Sequence, residues 1–548
     1  MNETEIKNII LGEDGSLCQN INKFIEKHAD TFSFPMLNSN DLRKELWSAL
    51  FRYLQNKQLR AIHIQCLSAI RILSRDKTGL NEIICDNWMN ILLYHSDLKE
   101  QPEEKSVSPN YTVIIEGLKC LCNLVFNSSV ASTISSQNGT LEAIMKRVLT
   151  YRDPEVPTDV KYFDMRLLFI ITALCAEIRP KLQNELHGGT YLIEILDLIL
   201  KEAAVDQSNS AGIPSNKVTL SDSQVDLACE ILKVLFNLYV NSNFTLTNDE
   251  EEETHYLKLI IVLHDMLLAS KTSPNSRADV HVQIISLLTA LPSRYLKELY
   301  TPVTGDPELS KEMEYEGYNM EAVHLLLASL QNRLNNQQKA NGKNELLTPI
   351  LTLLVMCASS SRIMRKYLRN QILPPLKDVH NRPEQGSTLR NHLCRLLTSP
   401  DLRVRDLAAE LIFVLCKENV GRMIKYTGYG NAAGWFANRG LLLGGRLEGS
   451  LKYSSESEDS DTEEYKEYKH GINHVMGCYE PPHPQTMTEE QKEHEALILA
   501  ELMQNLIDKK LIKPCIVNED GRPEPVDNVL QLQNALPRLQ IRRNSESS

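Results

Sequence analysis

The feature that most constrains this chain is a theme that returns from about residue 20 to 426: a leucine-rich helical stretch of about a dozen residues, a polar break, then another. Cys66 to Asp76, Leu118 to Ser128, Leu167 to Ile178, Ile231 to Ser242, Gln283 to Ala290, Ile350 to Ala358 and Leu407 to Cys416 all carry it. No single such helix can bury its own apolar surface, so neighbours must stack, and the chain grows by repetition. With 42% hydrophobic residues and only 6% aromatics, that core is built of Leu, Ile, Val and Ala. The separation of the units, roughly 50 to 65 residues, exceeds the ~40 to 47 of armadillo and HEAT repeats. Polar insertions such as Lys99 to Asn110, Asp206 to Ser221, Tyr300 to Glu316 and Asn335 to Asn344 account for the excess. The resulting fold class is an all-α, armadillo/HEAT-like helical solenoid.

Lys and Arg number 59 against 71 Asp and Glu, a net charge of −12. That balance argues against a nucleic-acid-coating or anionic-membrane protein and for protein partners. Met1 to Ser16 carries Glu3, Glu5, Glu13 and Asp14, so no signal peptide is expected, and no segment reaches the ~18 apolar residues of a span. A cytoplasmic protein with its 12 cysteines reduced is the expectation, with no disulfide, no cofactor and no metal. Cys120-x-Cys122 in a helix points its thiols about 200° apart, which does not suit zinc. Walker, Gly-x-Ser-x-Gly and His-Glu-x-x-His patterns are lacking, and no bond-making enzyme is expected.

The best internal match sets Leu118-Lys119-Cys120-Leu121-Cys122-Asn123-Leu124 against Leu232-Lys233-Val234-Leu235-Phe236-Asn237-Leu238. In both, a second Asn stands four residues later, Asn127 and Asn241, on the same helix face. Arg71 and Arg75 repeat that spacing earlier. These six residues are the candidate partner-binding set, lining the concave groove of a solenoid. The competing reading is that the Asn residues crosslink adjacent repeats.

The helical pattern stops after Tyr426, dividing the chain into a solenoid at 1–426, a Gly-rich, packed but irregular segment at 427–452, an acidic linker at 453–470 and a C-terminal segment at 471–548. The last holds an amphipathic helix at 488–512, opened by Thr488-Glu489-Glu490-Gln491, and a flexible tail from Lys513. In the linker, Ser455 and Ser460 each have an acid at +3, the context of an acidophilic kinase. Arg362, Arg365, Lys366 and Arg369 gather four positive charges on one helix face, either a solvated face or the dock for the phosphorylated linker.

Three long stretches in the same order, Tyr426 to Gly434, Asp461 to Lys466 and Met487 to Ala496, together with Arg71 to Asp76 and Leu124 to Asn127, resemble the synembryn family. The resemblance covers nearly the whole chain and is poor after Lys513. It implies a cytosolic, monomeric chaperone and guanine-nucleotide exchange factor for heterotrimeric G-protein α subunits, recruited to the cell cortex. The family's concave groove takes the C-terminal helix of the α subunit, and Arg71, Arg75 and Asn123 match its contacts. The alternative is a solenoid peptide-binding adaptor without exchange activity.

Overall fold

The computed structural model describes residues 3–12, 16–39, 41–99, 109–209, 218–240, 250–271, 274–303, 313–337, 347–443, 462–468, 472–479, 488–518 and 520–526. Asn241, Ser455 and Ser460 therefore lie outside the described residues. The chain divides into two compact units, Met1–Leu299 and Tyr300–Ser548. The sequence division at 426 does not coincide with that boundary.

In the first unit the helices are Glu3–Leu11 (α1), Leu17–Lys27 (α2), Pro35–Ser39 (α3), Leu42–Gln55 (α4), His63–Leu73 (α5), Leu80–Ile83 (α6), Asp86–His95 (α7), Tyr111–Asn127 (α8), Ser129–Gln137 (α9), Thr140–Val148 (α10), Thr158–Leu174 (α11), Gly188–Asn209 (α12), Asp222–Tyr239 (α13), Glu250–Leu268 (α14) and Pro274–Thr289 (α15). One layer runs α2, α5, α8, α11, α13, α15, each packed on the next. A second layer holds α1, α4, α7 and α9, then α12 and α14, and the layers are joined through α4 on α5, α7 on α8 and α12 on α13. This is the expected solenoid. The inner helices of the first layer, α5, α8, α11 and α13, are apolar on more than one side because each meets two layer neighbours and the second layer. In α8, Ile114, Leu118, Leu121, Leu124 and Val125 are all buried.

The ends of these helices are set by short polar side chains. The Asn110 side chain accepts from the Val113 amide at the start of α8, and the Ser128 hydroxyl accepts from Ala131 N and so separates α8 from α9. Ser221 and Gln224 form a capping box on α13. One buried ion pair ties α10 to α11: Arg147 Nε donates to Asp164 Oδ2 at 2.8 Å, Arg147 Nη2 pairs with Asp164 Oδ1, and Tyr151 Oη donates to Asp164 at 2.9 Å. Burial pushes the Asp164 carboxyl up while the guanidinium opposes it. Arg147 also donates to Ser96 O, so the pair reaches the end of α7.

The second unit holds Glu321–Gln337 (α16), Leu347–Ser360 (α17), Arg362–Ile372 (α18), Leu389–Leu396 (α19), Leu402–Leu415 (α20), Val420–Thr427 (α21), Tyr429–Arg439 (α22), Glu463–Tyr468 (α23) and Glu489–Asp508 (α24). Here α17 and α20 pack together, with α16 and α18 against α17, and α19, α21 and α22 against α20. Strands among the described residues are two or three residues long, which fits the expectation of no consequential sheet.

Three expectations for the C-terminal region need correction. The Gly-rich stretch after 426 is not irregular: residues 429–439 form α22, and the helical order passes Tyr426 with a single break at Gly428. The end of the expected acidic linker, 463–468, is a short helix. The tail after Lys513 begins with a hairpin, Cys515–Val517 against Pro523–Pro525, whose Gly521 carbonyl accepts from Leu442 N beyond α22.

Gly428 and Gly430 have a physical reason. A second hairpin, Ile472–Asn473 against Cys478–Tyr479, crosses the α21–α22 corner, where Tyr429 N donates to His474 O and Gly430 N to Val475 O. Gly428 has φ +72°, and a Cβ there would stand 3.0 Å from Gly477 N. A Cβ on Gly430 would meet Val475 O at 3.0 Å. Two backbones touch at this corner because neither carries a side chain. We expect Gly428→Ala to cost about 1–2 kcal/mol through the left-handed backbone alone and to loosen the hairpin. Limited proteolysis should then cut 472–479 faster than in the parent protein; equal cutting rates would refute the contact.

Candidate functional site

The site is built on the first layer of the first unit. Helix α5 ends in Arg71-Ile72-Leu73-Ser74-Arg75-Asp76, and each polar side chain in that stretch has a defined task. Arg71 Nε lies 2.5 Å from Glu116 Oε1 on α8. Ser74 Oγ donates to Arg71 O at 2.7 Å and closes the last turn. Arg75 donates to Ala29 O, with its guanidinium 5.3 Å from the Phe32 ring. Asp76 accepts from Phe34 N and Asn38 Nδ2; burial works to raise its carboxyl, but these bonds outweigh it and hold the group below the usual range. Behind them the buried Arg43 of α4 donates to the carbonyls of Leu73, Asp76 and Thr78, satisfying the orphan acceptors at the end of α5.

The next helix of the layer, α8, crosslinks to this corner. Asn123 Nδ2 donates to Arg71 O at 3.3 Å, and Asn127 Nδ2 donates to Ser74 O at 3.0 Å. The internal sequence match has a structural counterpart two helices on. Arg166 of α11 pairs with Glu230 of α13 at 3.0 Å, as Arg71 does with Glu116. Lys119 and Lys233 pair with the same two carboxylates and lie 5.4 Å and 5.6 Å from the Phe163 and Phe169 rings of α11. Asn237 donates to Phe169 O at 3.3 Å and Thr172 Oγ1 at 3.0 Å.

The duplication is not perfect, and the difference has a cause. Ser68, three residues before Arg71, donates to Glu116 Oε1 at 3.0 Å. Lys119 reaches the other oxygen, Glu116 Oε2, at 3.4 Å, whereas Arg166 and Lys233 both pair with Glu230 Oε1 and leave Glu230 Oε2 without a hydrogen-bond partner among the described residues; Phe163, three before Arg166, offers no side-chain donor either. The first of the two stations is the fully satisfied one.

Arg71, Arg75, Asn123 and Asn127 are thus brought together at one end of the layer. The amides of Asn123, Asn127 and Asn237 are all spent across the layer, as the crosslinking reading has it; Asn123 and Asn127 stay half-buried at the surface, whereas Asn237, only 8% exposed, corrects the expectation that it binds a partner. Sequence reasoning missed Glu116 and Glu230, which lie seven residues before Asn123 and Asn237; a lone acid within an apolar helical run was their signal. It also missed Phe32 and Phe126, 69% and 62% exposed, which flank Arg75 and Lys77. The result is a surface of tethered cations and open aromatic faces, suited to a helix that offers carboxylates and apolar side chains.

In the second unit, the four cations of α18 are partly engaged within the protein. Lys366 Nζ is 3.0 Å from Glu316 Oε1, Arg365 Nη1 donates to Ala358 O at 2.9 Å, and Arg369 Nη2 reaches Tyr426 Oη at 3.5 Å. Helix α24 is open, with Leu497, Leu499, Leu502 and Leu506 exposed. Among the described residues no group of three His, Cys, Asp or Glu could hold a metal, and no single helix is long and apolar enough to cross a membrane. Burial pushes the Cys66 and Cys357 thiols up to about 12, which keeps them un-ionised.

Comparison with known proteins adds independent findings. Residues 66–522 match the family described as guanine nucleotide exchange factor synembryn. The chain is 40% identical over 567 residues to Chaperone Ric-8 of Drosophila pseudoobscura pseudoobscura, covering 96% of both. It is 38% identical over 531 residues to Chaperone Ric-8A of Gallus gallus, again covering 96% of both. Among solved structures, an engineered protein aligns at 14% identity with a TM-score of 0.45, over 82% of this chain and 97% of its own.

The electrostatics of the first station carry a pH signature. Burial works to raise the Glu116 carboxyl, but the hydrogen bond and charge of Arg71, the Ser68 hydroxyl and Lys119 outweigh it and hold the group below its usual 4.5. Its stabilisation is therefore present above the unfolded value and is lost as pH falls through the lower folded one. Glu116→Gln is expected to cost about 3 kcal/mol at neutral pH. The difference from the parent protein should shrink steadily in denaturation curves taken below pH 4.5.

Proposed function

Because the chain belongs to the guanine nucleotide exchange factor synembryn family, we propose that it is a folding chaperone and nucleotide-exchange factor for the α subunits of heterotrimeric G proteins. The observation that carries the reading is the station at the end of α5: two guanidiniums, two Asn amides and two open Phe rings on one surface. A helix ending in a carboxylate fits it, and the C-terminal helix of the α subunit is the proposed occupant. Arg71 and Arg75 would meet its carboxylates and carbonyls, with Asn123 and Asn127 fixing the helix ends that present them.

Exchange of this kind needs no catalytic acid or base, and the protein acts as a binding factor that makes and breaks no bond. It binds the open, nucleotide-free α subunit more tightly than the closed one and shifts the equilibrium by that difference. The C-terminal segment from Gly428 to Ile512, which includes the apolar face of α24, would hold the remainder of the GTPase domain. Chaperoning is the same preference exercised on a nascent α subunit. An acidophilic kinase acting on Ser455 and Ser460 would dock the acidic segment on Arg362, Arg365, Lys366 and Arg369 and raise activity. The protein works as a monomer in the cytoplasm, with recruitment to the cell cortex, and takes neither nucleic acid nor a membrane-inserted form.

Full-length protein is expected to accelerate GDP release from purified α subunits. Binding of those subunits without faster release would leave the adaptor reading standing. Arg75→Glu should abolish capture of a peptide carrying the last helix of an α subunit, and Asn123→Ala should weaken it by about 1–3 kcal/mol. Thermal unfolding measured alongside separates lost contacts from a lost fold. Charge reversal at Arg365 and Lys366 should remove the gain from phosphorylation and leave basal release intact.

A further inference from the structure

Glu316 occupies an awkward place for its residue type. Glu314–Tyr315 pairs with Tyr318–Asn319 through a two-residue turn, Glu316-Gly317, with φ of 49° and 82°. Both values are positive, the pattern of a hairpin turn that favours Asn-Gly, and a Glu at the first position costs roughly 1 kcal/mol. The turn is seated on α18: the Tyr315 ring meets the Tyr367 ring edge-on at 6.0 Å, and Tyr318 packs edge-on against Tyr300. The carboxylate that this turn projects reaches Lys366, the third of the four cations, at 3.0 Å. Lys366 is only 17% exposed, so the pair is partly desolvated and an anion approaching that ammonium meets Glu316 first.

The segment that would approach is constrained at its far end. Thr462 Oγ1 donates to Leu376 O, four residues beyond the end of α18, and the Tyr465 ring lies under Lys425 at 4.5 Å. Ser460 is two residues before that tether, within about 7 Å of it along the chain. The segment 453–461 contains Glu456, Glu458, Asp459 and Asp461 and no basic residue.

We propose that Glu316 is a built-in competitor for the basic face of α18 and sets the affinity threshold that segment 453–461 must pass to dock there. An unmodified acidic segment would only exchange one carboxylate for another at Lys366 and gains little. A phosphate, with its greater charge and three acceptor oxygens, gains enough to displace Glu316. Glu316 thus raises the affinity that either form of the segment must reach, and the phosphorylated form is the one with the charge to reach it. The proposal rests on the docking reading given under the proposed function, and its test distinguishes the two.

The test uses full-length protein carrying Ser455→Ala and Ser460→Ala, so that its own segment stays unmodified. Labelled peptides spanning 453–464, with both serines phosphorylated or neither, are titrated and followed by fluorescence anisotropy. Glu316→Gln is expected to tighten both peptides about three- to fivefold, the factor that a half-exposed ion pair is worth. Adding Lys366→Gln should cancel that gain. Glu316→Asn, which removes the charge and suits the turn, should behave as Glu316→Gln does and guards against a disturbed hairpin. Glu314→Gln should change nothing. If both Glu316 variants bind the phosphorylated peptide as the parent does, while Arg365→Glu with Lys366→Glu abolishes binding, the competitor role is wrong and the docking reading stands. If the charge-reversed protein binds the phosphorylated peptide as tightly as the parent, the docking reading itself falls.

Discussion

A carboxylate inside an apolar helix layer has to be paired, and in this protein that requirement fixes how the helices meet. Glu116 and Glu230 are 7% and 2% exposed, set in helices otherwise filled with Leu, Ile, Val and Cys. Each draws a guanidinium from the preceding helix of the layer and an ammonium from its own helix. Hydrophobic burial drives the stacking, but apolar surfaces slide at little cost; a buried ion pair does not, because a shift of one turn strands the charge. The Asn amides act in the same sense, since Asn123 and Asn127 bond main-chain carbonyls of α5 that occur only at its final turns. The register of the layer and the surface proposed for recognition are therefore set by the same groups.

This dual use explains why the surface of the layer is rigid before any partner arrives. Arg71, Lys119, Arg166 and Lys233 are long side chains that would lose considerable rotamer freedom on binding. Here each is already held by a carboxylate, and the two lysines also lie against rings of α11. On the proposed reading, a partner helix would meet charges already ordered, and less of its binding energy would go to arranging them.

The second unit uses a different economy. At its α21–α22 corner the close approach is made between main chains, with Gly428 and Gly477 facing each other and the 472–479 hairpin lending carbonyls to the first amides of α22. Those amides have no partner within their own helix, so the hairpin serves as the cap that Gly428 cannot provide. The next helix along the chain is α24, whose leucines are exposed.

The sequence by itself determined the all-helical repeat, the position of the Arg71, Arg75, Asn123 and Asn127 set and the amphipathic helix after Thr488, because each is written in local spacing; the family was legible through the resemblance of its longer motifs. It did not determine what those residues touch. That Asn237 turns inward while Asn123 is half-buried at the open corner, or that Arg166 and Lys233 share Glu230 Oε1 and leave Oε2 without a donor, depends on which helix lies across the layer. Gly428 and Gly430 read as irregular chain because their cause, a hairpin more than forty residues later, is not local. Likewise α18 showed four cations in sequence, and only the tertiary structure set Glu316, fifty residues away, against Lys366. Spacing along one helix is fixed by its backbone geometry, whereas the partner of a charge is fixed by whichever distant segment packing brings within reach.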